Sequence, residues 1–563
     1  MPEILARLVD AASCARFVAA GCDPRLARLY AARGVAGMDE LSTTLQALAS
    51  PEKLSHVDDA ARLLADAIAA RQKLLIVADY DADGATACAV GVKALRAMGA
   101  TVDYLVPNRF EHGYGLTPEI AREAATRAPD LMITVDNGIA AVEGVAEANR
   151  LGMRVLVTDH HLPGAALPDA ACIVNPNQPG CGFPSKHLAG VGVIFYVMLA
   201  LRAELRRRGA FGPNAEPVLG DLLDLVALGT VADVVRLDTN NRVLVAQGLA
   251  RIRAGRASPG VAALLEVAGR DPRRASPYDL GFAVGPRLNA AGRLDDMSIG
   301  IECLLATDRA RGLALAQRLD RMNRERREIE GEMQASALEM LETAQAGDAY
   351  TLALHREDWH AGVVGLLASR LKDRLHRPVF AFAADAGGKL KGSGRSIAAL
   401  HLRDALDLVD KRAPGVLERF GGHAAAAGCT LAPGTLQRFA EAFESVARER
   451  LTPADLSQRI ETDGELAGDE MDMAFARLIQ QQVWGQGFPE PRFAGQFEVA
   501  AQRIVGEKHS RLALLRHGKR FLGMLFNRAD PLPSQVHCVY RLDVNEWQGE
   551  STLQLTIDHL EAS

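Results

Sequence analysis

The feature that most constrains this chain is a series of short apolar runs, each followed by a segment of helical length, beginning at Lys73. LLIVA runs into Asp79, a helix is expected from Ala85 to Met98, and TVDYLVP, PEIAREAATRA, LMITVD, AAVEGVAEANR, VLVTD and ACIVNP continue the alternation. Buried strands alternating with helices of about 10 to 15 residues make βαβ units and hence a parallel sheet, placing the chain in the α/β class. In an open parallel sheet all strands point one way. Their carboxyl ends therefore share one edge, where ligands bind at a switch in strand order.

Three of these strands end in acid or imidazole: Asp79, Asp81 and Asp83 after the first, Asp136 after LMITV, and Asp159, His160 and His161 after VLVT. Carboxylates crowded into a partly dehydrated cleft repel one another and raise their pKa values unless cations neutralise them. Divalent metal resolves that conflict. Several Asp oxygens with one or two imidazoles and no thiolate suit Mn²⁺ or Mg²⁺ better than structural zinc. Two ions about 3.5 to 4 Å apart let an activated water attack phosphorus while the leaving oxygen is stabilised, so phosphoester hydrolysis is the expected chemistry. Each element also has a plainer reading: DxDG as a turn in which Gly supplies positive φ, the His pair as capping or packing, and Asp136-Asn137-Gly138 as a simple turn. Their coincidence at three strand ends favours metal.

At 563 residues the chain is long enough for two to four domains, taking about 150 residues for each. Residues 308 to 346 lack proline, with Asp308 placed as an N-cap and Gly347 after the end; they predict one long helix joining two lobes, or a pair broken near Gly331. A second α/β pattern follows from Tyr350, and short alternating strands after about residue 455 imply an all-β module. Lys plus Arg number 64 against 70 Asp plus Glu, so no global cationic field attracts nucleic acid and any anionic partner has to be caught locally. The eight cysteines are dispersed with no C-x-x-C, which signals neither a disulfide framework nor a thiolate zinc site. No apolar stretch reaches the ~18 residues of a bilayer span, and the N-terminal 21 residues carry acids and arginines, so a cytoplasmic location is expected.

Asp159-His160-His161 resembles the signature of the DHH phosphoesterases, and DYDADG, VDNGI and GTVADVV resemble that superfamily's other metal motifs. VPNRFEHGYGL, GPRLNAAGR, DWHAGVVGLLASRL, GSGRS and GGHAAAAG are similar, in this order, to its single-strand-specific exonucleases. Residues 1 to 70, rich in Ala and Leu at helical spacing, read as a helical prelude with no chemistry visible and carry no distinctive motif of the resemblance. Pattern and resemblance together give an N-terminal helical segment (1–55), a parallel-sheet DHH catalytic domain (56–245), a helical region with the connecting helix (246–346), a DHHA1-type α/β substrate-binding domain (347–450), and an OB-fold-like β-barrel (451–563). The resemblance implies Asp81, Asp83, Asp136, His160 and Asp233 as ligands of two Mn²⁺ or Mg²⁺ ions, with Asp136 as the bridge. His161 would face the scissile phosphate and orient it or protonate the leaving oxygen. Asp159 would hold an imidazole in the required tautomer. Val77 stands where related pyrophosphatases have a histidine, and the role of Asp79 stays open.

On the substrate side, GSGRS sets Ser393 and Arg395 among glycines, where backbone amides and a guanidinium can approach an anion. A flexible surface turn is the alternative. By resemblance, Arg109 and Tyr114 with Asn289 and Arg293 join them in a pocket for a terminal 5′ phosphate, and His423 closes the second lobe over the substrate. Trp359 and His360 fit packing and capping as well as contact with DNA. Between Arg503 and Arg528 lie seven Lys or Arg against one acid, Glu507, with Phe521 and Phe526 among them and Trp484 and Trp547 flanking; this suits an oligonucleotide-binding barrel, unless the rings are core.

The expectation is a monomeric 5′-to-3′ exonuclease that releases 5′-mononucleotides, its DNA channel lying between lobes. Single-stranded DNA is the substrate, with single-stranded-DNA-binding protein and a RecQ-like helicase as partners through the family alone. Two rivals stay open: a phosphatase of cyclic dinucleotides, short RNA or pyrophosphate, and a non-catalytic strand-binding scaffold, against which the intact acids argue.

Overall fold

The structure is a computed structural model that describes residues 2–108, 115–343, 348–385, 387–547 and 550–562. Arg109 and Tyr114 lie outside the described residues, as does the side chain of Trp547. The chain divides into two units, one of residues 6–320 with 461–563 and one of residues 321–460 with the first five.

The larger unit is built on five parallel strands, β1 (Lys73–Ala78), β2 (Thr101–Leu105), β3 (Leu131–Val135), β4 (Arg154–Thr158) and β5 (Cys172–Val174), in the order β2-β1-β3-β4-β5. Such an order places β1 and β3 side by side although β2 separates them in sequence, and this is the switch point at which open α/β sheets bind ligands. β3 is buried along its whole length, which is why it reads as an unbroken apolar run. The helix after β1 runs Ala82–Ala97 rather than starting at Ala85. Asp81 caps it, accepting from the Asp83 and Gly84 amides at 2.9 and 3.0 Å, so DADG is the first helical turn and not a free turn. Gly84 does not supply a positive φ there; a Cβ at that position would overlap the Asp79 carbonyl.

Asp308 accepts from the Arg311 amide at 2.9 Å, and one helix follows over Arg309–Thr343 without a break at Gly331. The division between the units falls inside it. In the smaller unit, β6 (Leu352–His355), β7 (Val379–Ala384), β8 (Leu390–Arg395), β9 (Leu417–Gly422) and β10 (Ala426–Leu431) form a mixed sheet in the order β9-β10-β8-β7-β6. Phe380, Phe382, Phe439 and Phe443 fill its core.

The C-terminal strands β11 (Phe493–Val505), β12 (His509–Arg516), β13 (Lys519–Leu525), β14 (Gln535–Trp547) and β15 (Glu550–Ala562) close into a barrel in the order β11-β12-β13-β15-β14. The segment leading into it is tied to the N-terminal helices. Arg33 pairs with Asp463 at 2.8 Å, both side chains almost wholly buried, and Tyr30 stacks on Trp484 and Phe488 at 6.1 and 6.4 Å. All eight cysteines are free thiols, five of them buried. Among the described residues no helix is long and apolar enough to cross a membrane.

Candidate metal centre

The switch point gathers the acids that the sequence places at strand ends. Three sets of donor atoms each lie within 4.8 Å of one another: Asp79, Asp81 and Asp136; Asp136, His160 and His161; and Asp83, His160 and Asp233. His160 Nε2 is 3.1 Å from Asp136 Oδ1, 3.5 Å from Asp233 Oδ2 and 4.0 Å from Asp83 Oδ2. Asp79, whose role the sequence left open, thus joins Asp81 and Asp136, while Asp233 arrives at the C-terminal end of the helix Leu223–Ala232. Val77, in contrast, is fully buried in β1.

Local backbone explains how each acid is held. Asp83 accepts from the Gly190 and Val191 amides at 2.6 and 2.9 Å, the free donors at the start of the helix Gly190–Arg207. Asp136 has φ +62°, a left-handed conformation that costs a non-glycine residue of order 1 kcal/mol and persists where the surroundings enforce it. They do so here: the Asn137 side chain donates through Nδ2 to the carbonyls of Val77 and Val135 at 3.1 and 2.9 Å, pinning the turn to β1 and β3. Gly190 has no substitute, because a Cβ there would stand 2.6 Å from that of Asp136. Sequence reasoning missed Asn137 and Gly190; the only signals were VDNG and the paired glycines of AGVG.

Asp159 Oδ1 accepts from the His160 and His161 amides at 2.7 and 3.1 Å and lies 2.8 Å from His161 Nδ1, while Oδ2 accepts from the Ile139 amide at 2.9 Å. The imidazole it orients is therefore that of His161, not of His160, whose ring sits among the acids. Burial pulls the His161 pKa down, but the bond to and charge of Asp159, with Asp79 and Asp81 beyond, raise it to about 9. Burial first, then the charge of Asp81, pushes Asp83 up to about 7 against the pull of the Val191 and Gly190 amides. Asp136 and Asp233 are raised well above the ordinary carboxylate value by burial and then by the neighbouring acids, Asp83 foremost. A divalent cation relieves this repulsion, and a donor set of carboxylate oxygens and imidazoles without thiolate fits Mn²⁺ or Mg²⁺.

The other expected residues fall elsewhere. Asn289 accepts from the Ala82 amide at 2.7 Å, and a Cβ on Gly292 would overlap the Tyr80 carbonyl, so GPRLNAAGR is the surface against which DYDADG is pressed. Arg293 is half-buried on the same helix. GSGRS is strand β8, neither a loop nor a cradle of free amides; it pairs with β7 and β10 along its length. Its glycines make room for the Phe380 and Phe382 rings. Ser393 and Arg395 project from the opposite face against Gly365, whose Cβ position lies 2.9 Å from Ser393 Oγ and 3.3 Å from Arg395 Nη2 in the first turn of the helix Val364–Leu375. Helix amides and a guanidinium meeting there suit an anion. His423 is exposed at the hairpin between β9 and β10.

Trp359 is buried and donates to Ser336 Oγ at 3.1 Å, while His360 Nδ1 accepts from the Gly362 amide at 3.1 Å; packing and capping account for both. In the barrel, Phe521 is buried core and Arg516 is buried against Glu465 at 2.9 Å, while Trp484, ahead of the barrel, is buried against Tyr30. Arg528 pairs with Asp530. Arg503, Lys508, Arg511, Lys519, Arg520 and Phe526 remain exposed.

A parallel sheet in this order, with an Asp–His cluster at its switch point, defines a metal-dependent phosphoesterase of the DHH class. The sequence matches the DHH family N-terminal domain over residues 73–230, the DHHA1 domain over 347–449 and the RecJ OB domain over 462–559. It is 51% identical over 549 residues to the single-stranded-DNA-specific exonuclease RecJ of Dickeya dadantii, covering 95% of each chain. Crystal structures of RecJ from Thermus thermophilus match it over 100% of this chain: the Mn²⁺ complex with TM-score 0.82 and 29% identity over 79% of that chain, the Mg²⁺ complex with 0.76 and 28% over 78%. The chain belongs to the RecJ family.

Proposed function

We propose that this protein is a 5′-to-3′ exonuclease that hydrolyses single-stranded DNA to 5′-mononucleotides in repair and recombination, using Mn²⁺ or Mg²⁺. The observation that carries the reading is the convergence of Asp79, Asp81, Asp83, Asp136, His160 and Asp233 at one sheet edge in a chain of the RecJ family. Asp81, Asp83, Asp136, His160 and Asp233 hold two divalent ions, with Asp79 as a further donor. Such ions supply positive charge at phosphoryl oxygens and a water of lowered pKa. His161, oriented by Asp159, donates to the scissile phosphate or to the leaving O3′. Water adds to phosphorus as the P–O3′ bond breaks, and the shortened strand keeps a 5′ phosphate for the next round. Ser393 and Arg395 bind a phosphate of the strand, His423 of the same unit is a further substrate-binding residue, and in the larger unit Arg109, Tyr114 and Arg293 also bind substrate, while Asn289 fixes the metal-binding loop.

The boundaries 1–55, 56–245, 246–346, 347–450 and 451–563 are the domain division we adopt. Five exposed cations on the barrel, Arg503, Lys508, Arg511, Lys519 and Arg520, support strand binding there. Unpaired cysteines fit a reducing cytoplasm, and family membership supports contacts with single-stranded-DNA-binding protein and a RecQ-like helicase. Digestion of end-labelled oligonucleotides with Mn²⁺ tests the reading. Release of 5′-mononucleotides from a 5′-phosphorylated single strand, lost in Asp136→Ala, is expected. Preference for a dinucleotide, or strand binding by the wild type with no cutting, would overturn it.

A further inference from the structure

We infer that Tyr278 and Phe282 form a platform on which nucleobases of the single strand stack beside the metal centre; this deepens the exonuclease reading and rests on it. Their rings stack on each other, centroids 4.8 Å apart and planes 27° from parallel, yet the residues are 50% and 66% exposed. A pair of aromatic rings left in water is unusual for a folded chain and marks a contact surface. Phe282 lies in a π-helical segment, Asp279–Val284, a rare geometry that is frequent at functional sites.

The place of this segment selects the occupant. A Cβ on Gly281 would lie 3.1 Å from Val231 Cγ1, and one on Gly285 3.2 Å from Ala232 Cβ. The segment therefore rests on the last turn of the helix Leu223–Ala232, directly before Asp233. It continues directly into Gly285–Leu294, which carries Asn289 and braces the Asp81 loop. On its other side, Arg274 pairs with Glu546 of barrel strand β14 at 2.6 Å. Along the chain, the aromatic pair thus lies between the arginine that reaches the barrel and the helix that braces the Asp81 loop. Val234, immediately after Asp233, is 61% exposed and has φ +62°, a strained conformation for a β-branched residue, and it leaves another apolar side chain in water next to that ligand. The nearby acid Asp279 is engaged by the Ser276 amide at 2.9 Å and hydroxyl at 2.8 Å, leaving the rings themselves as the recognition surface. Stacking accepts any base, as an enzyme that degrades any sequence requires.

The test compares a 20-nucleotide thymidine strand with an abasic strand of the same length, both 5′-phosphorylated. Phe282→Ala, alone and with Tyr278→Ala, is expected to raise KM on the thymidine strand about tenfold, with less than a twofold change on the abasic strand. Phe282→Trp restores KM and Phe282→Leu does not. A KM that is unchanged, or that changes equally on both strands, overturns the platform. So does self-association lost in the alanine variants at constant KM, which assigns the rings to a contact between copies. In the Asp136→Ala background, fluorescence of Phe282→Trp should be quenched by the thymidine strand and not by the abasic one. That readout needs no cleavage, so it tests the platform even if the wild type cuts no strand, the result that would sink the exonuclease reading instead.

Discussion

Asp159 commits both carboxylate oxygens to neighbours in its own turn and in the Asp136 turn, and this makes the chemistry of His161 depend on a residue outside the donor sets. A histidine raised to about 9 in the metal-free protein stabilises the fold fully below its unfolded value of about 6.5, and that contribution is lost as pH rises through 9. Asp159→Asn should move the His161 pKa down by more than one unit in the metal-free protein, read by NMR of labelled histidine, with stability lost chiefly below pH 9. Asp83, Asp136 and Asp233 act in the same direction at lower pH. Their folded values lie above the unfolded ones, so the metal-free fold weakens as pH climbs from about 4 through 7. Mn²⁺ requires the ionised carboxylates. The rise in Tm on saturation with Mn²⁺ should therefore be several degrees larger at pH 7.5 than at pH 5.5, and an equal rise at both would show that these acids titrate normally. The donors themselves were legible in sequence because Asp and His advertise their chemistry. Gly190 was not, since its contribution is an absent Cβ, and the sequence left open which imidazole Asp159 holds, because DHH alone does not say which ring folds back onto it.

At the scale of elements, β8 shows why a glycine-rich motif can mislead. Gly392 and Gly394 suggest a loop, yet they alternate on one face of a strand and each lies under a phenylalanine ring. The period-two spacing of G-S-G-R was the available clue: glycines on one face, Ser393 and Arg395 on the other. Gly394→Ala would drive a methyl into the ring of Phe380, which is fully buried. A cost of about 1 to 3 kcal/mol is expected from such overpacking, measurable by urea denaturation of the full chain; a flexible loop would absorb the change within a few tenths. The long helix was legible over nearly its whole length because its signals are local, with Asp308 as the cap and no proline to interrupt it. The helix after β1 was expected to begin three residues late, because Asp81 reads as a turn residue until its carboxylate is seen bonded to the Asp83 and Gly84 amides.

Across the whole molecule, the N-terminal helices looked like a prelude without chemistry, and the reason is that their partners lie more than 400 residues away. Arg33 and Asp463 form a buried pair, with the Arg33 guanidinium also donating to the Leu29 and Pro489 carbonyls at 2.7 and 2.8 Å. Arg33→Ala would leave the Asp463 charge buried with less compensation, at a cost of about 3 to 5 kcal/mol, observable as a lowered denaturation midpoint; a loss below 1 kcal/mol would mean the contact is not maintained in solution. Trp484, which composition alone would assign to a base-stacking surface, instead packs on Tyr30. The same long-range closure governs biosynthesis. A ribosome adding about 5 to 20 residues each second exposes Tyr30 roughly 20 to 90 s before Trp484 emerges to cover it. In that interval the nascent chain presents an uncovered aromatic surface, and synthesis halted before Trp484 yields a polypeptide prone to aggregation and dependent on chaperones.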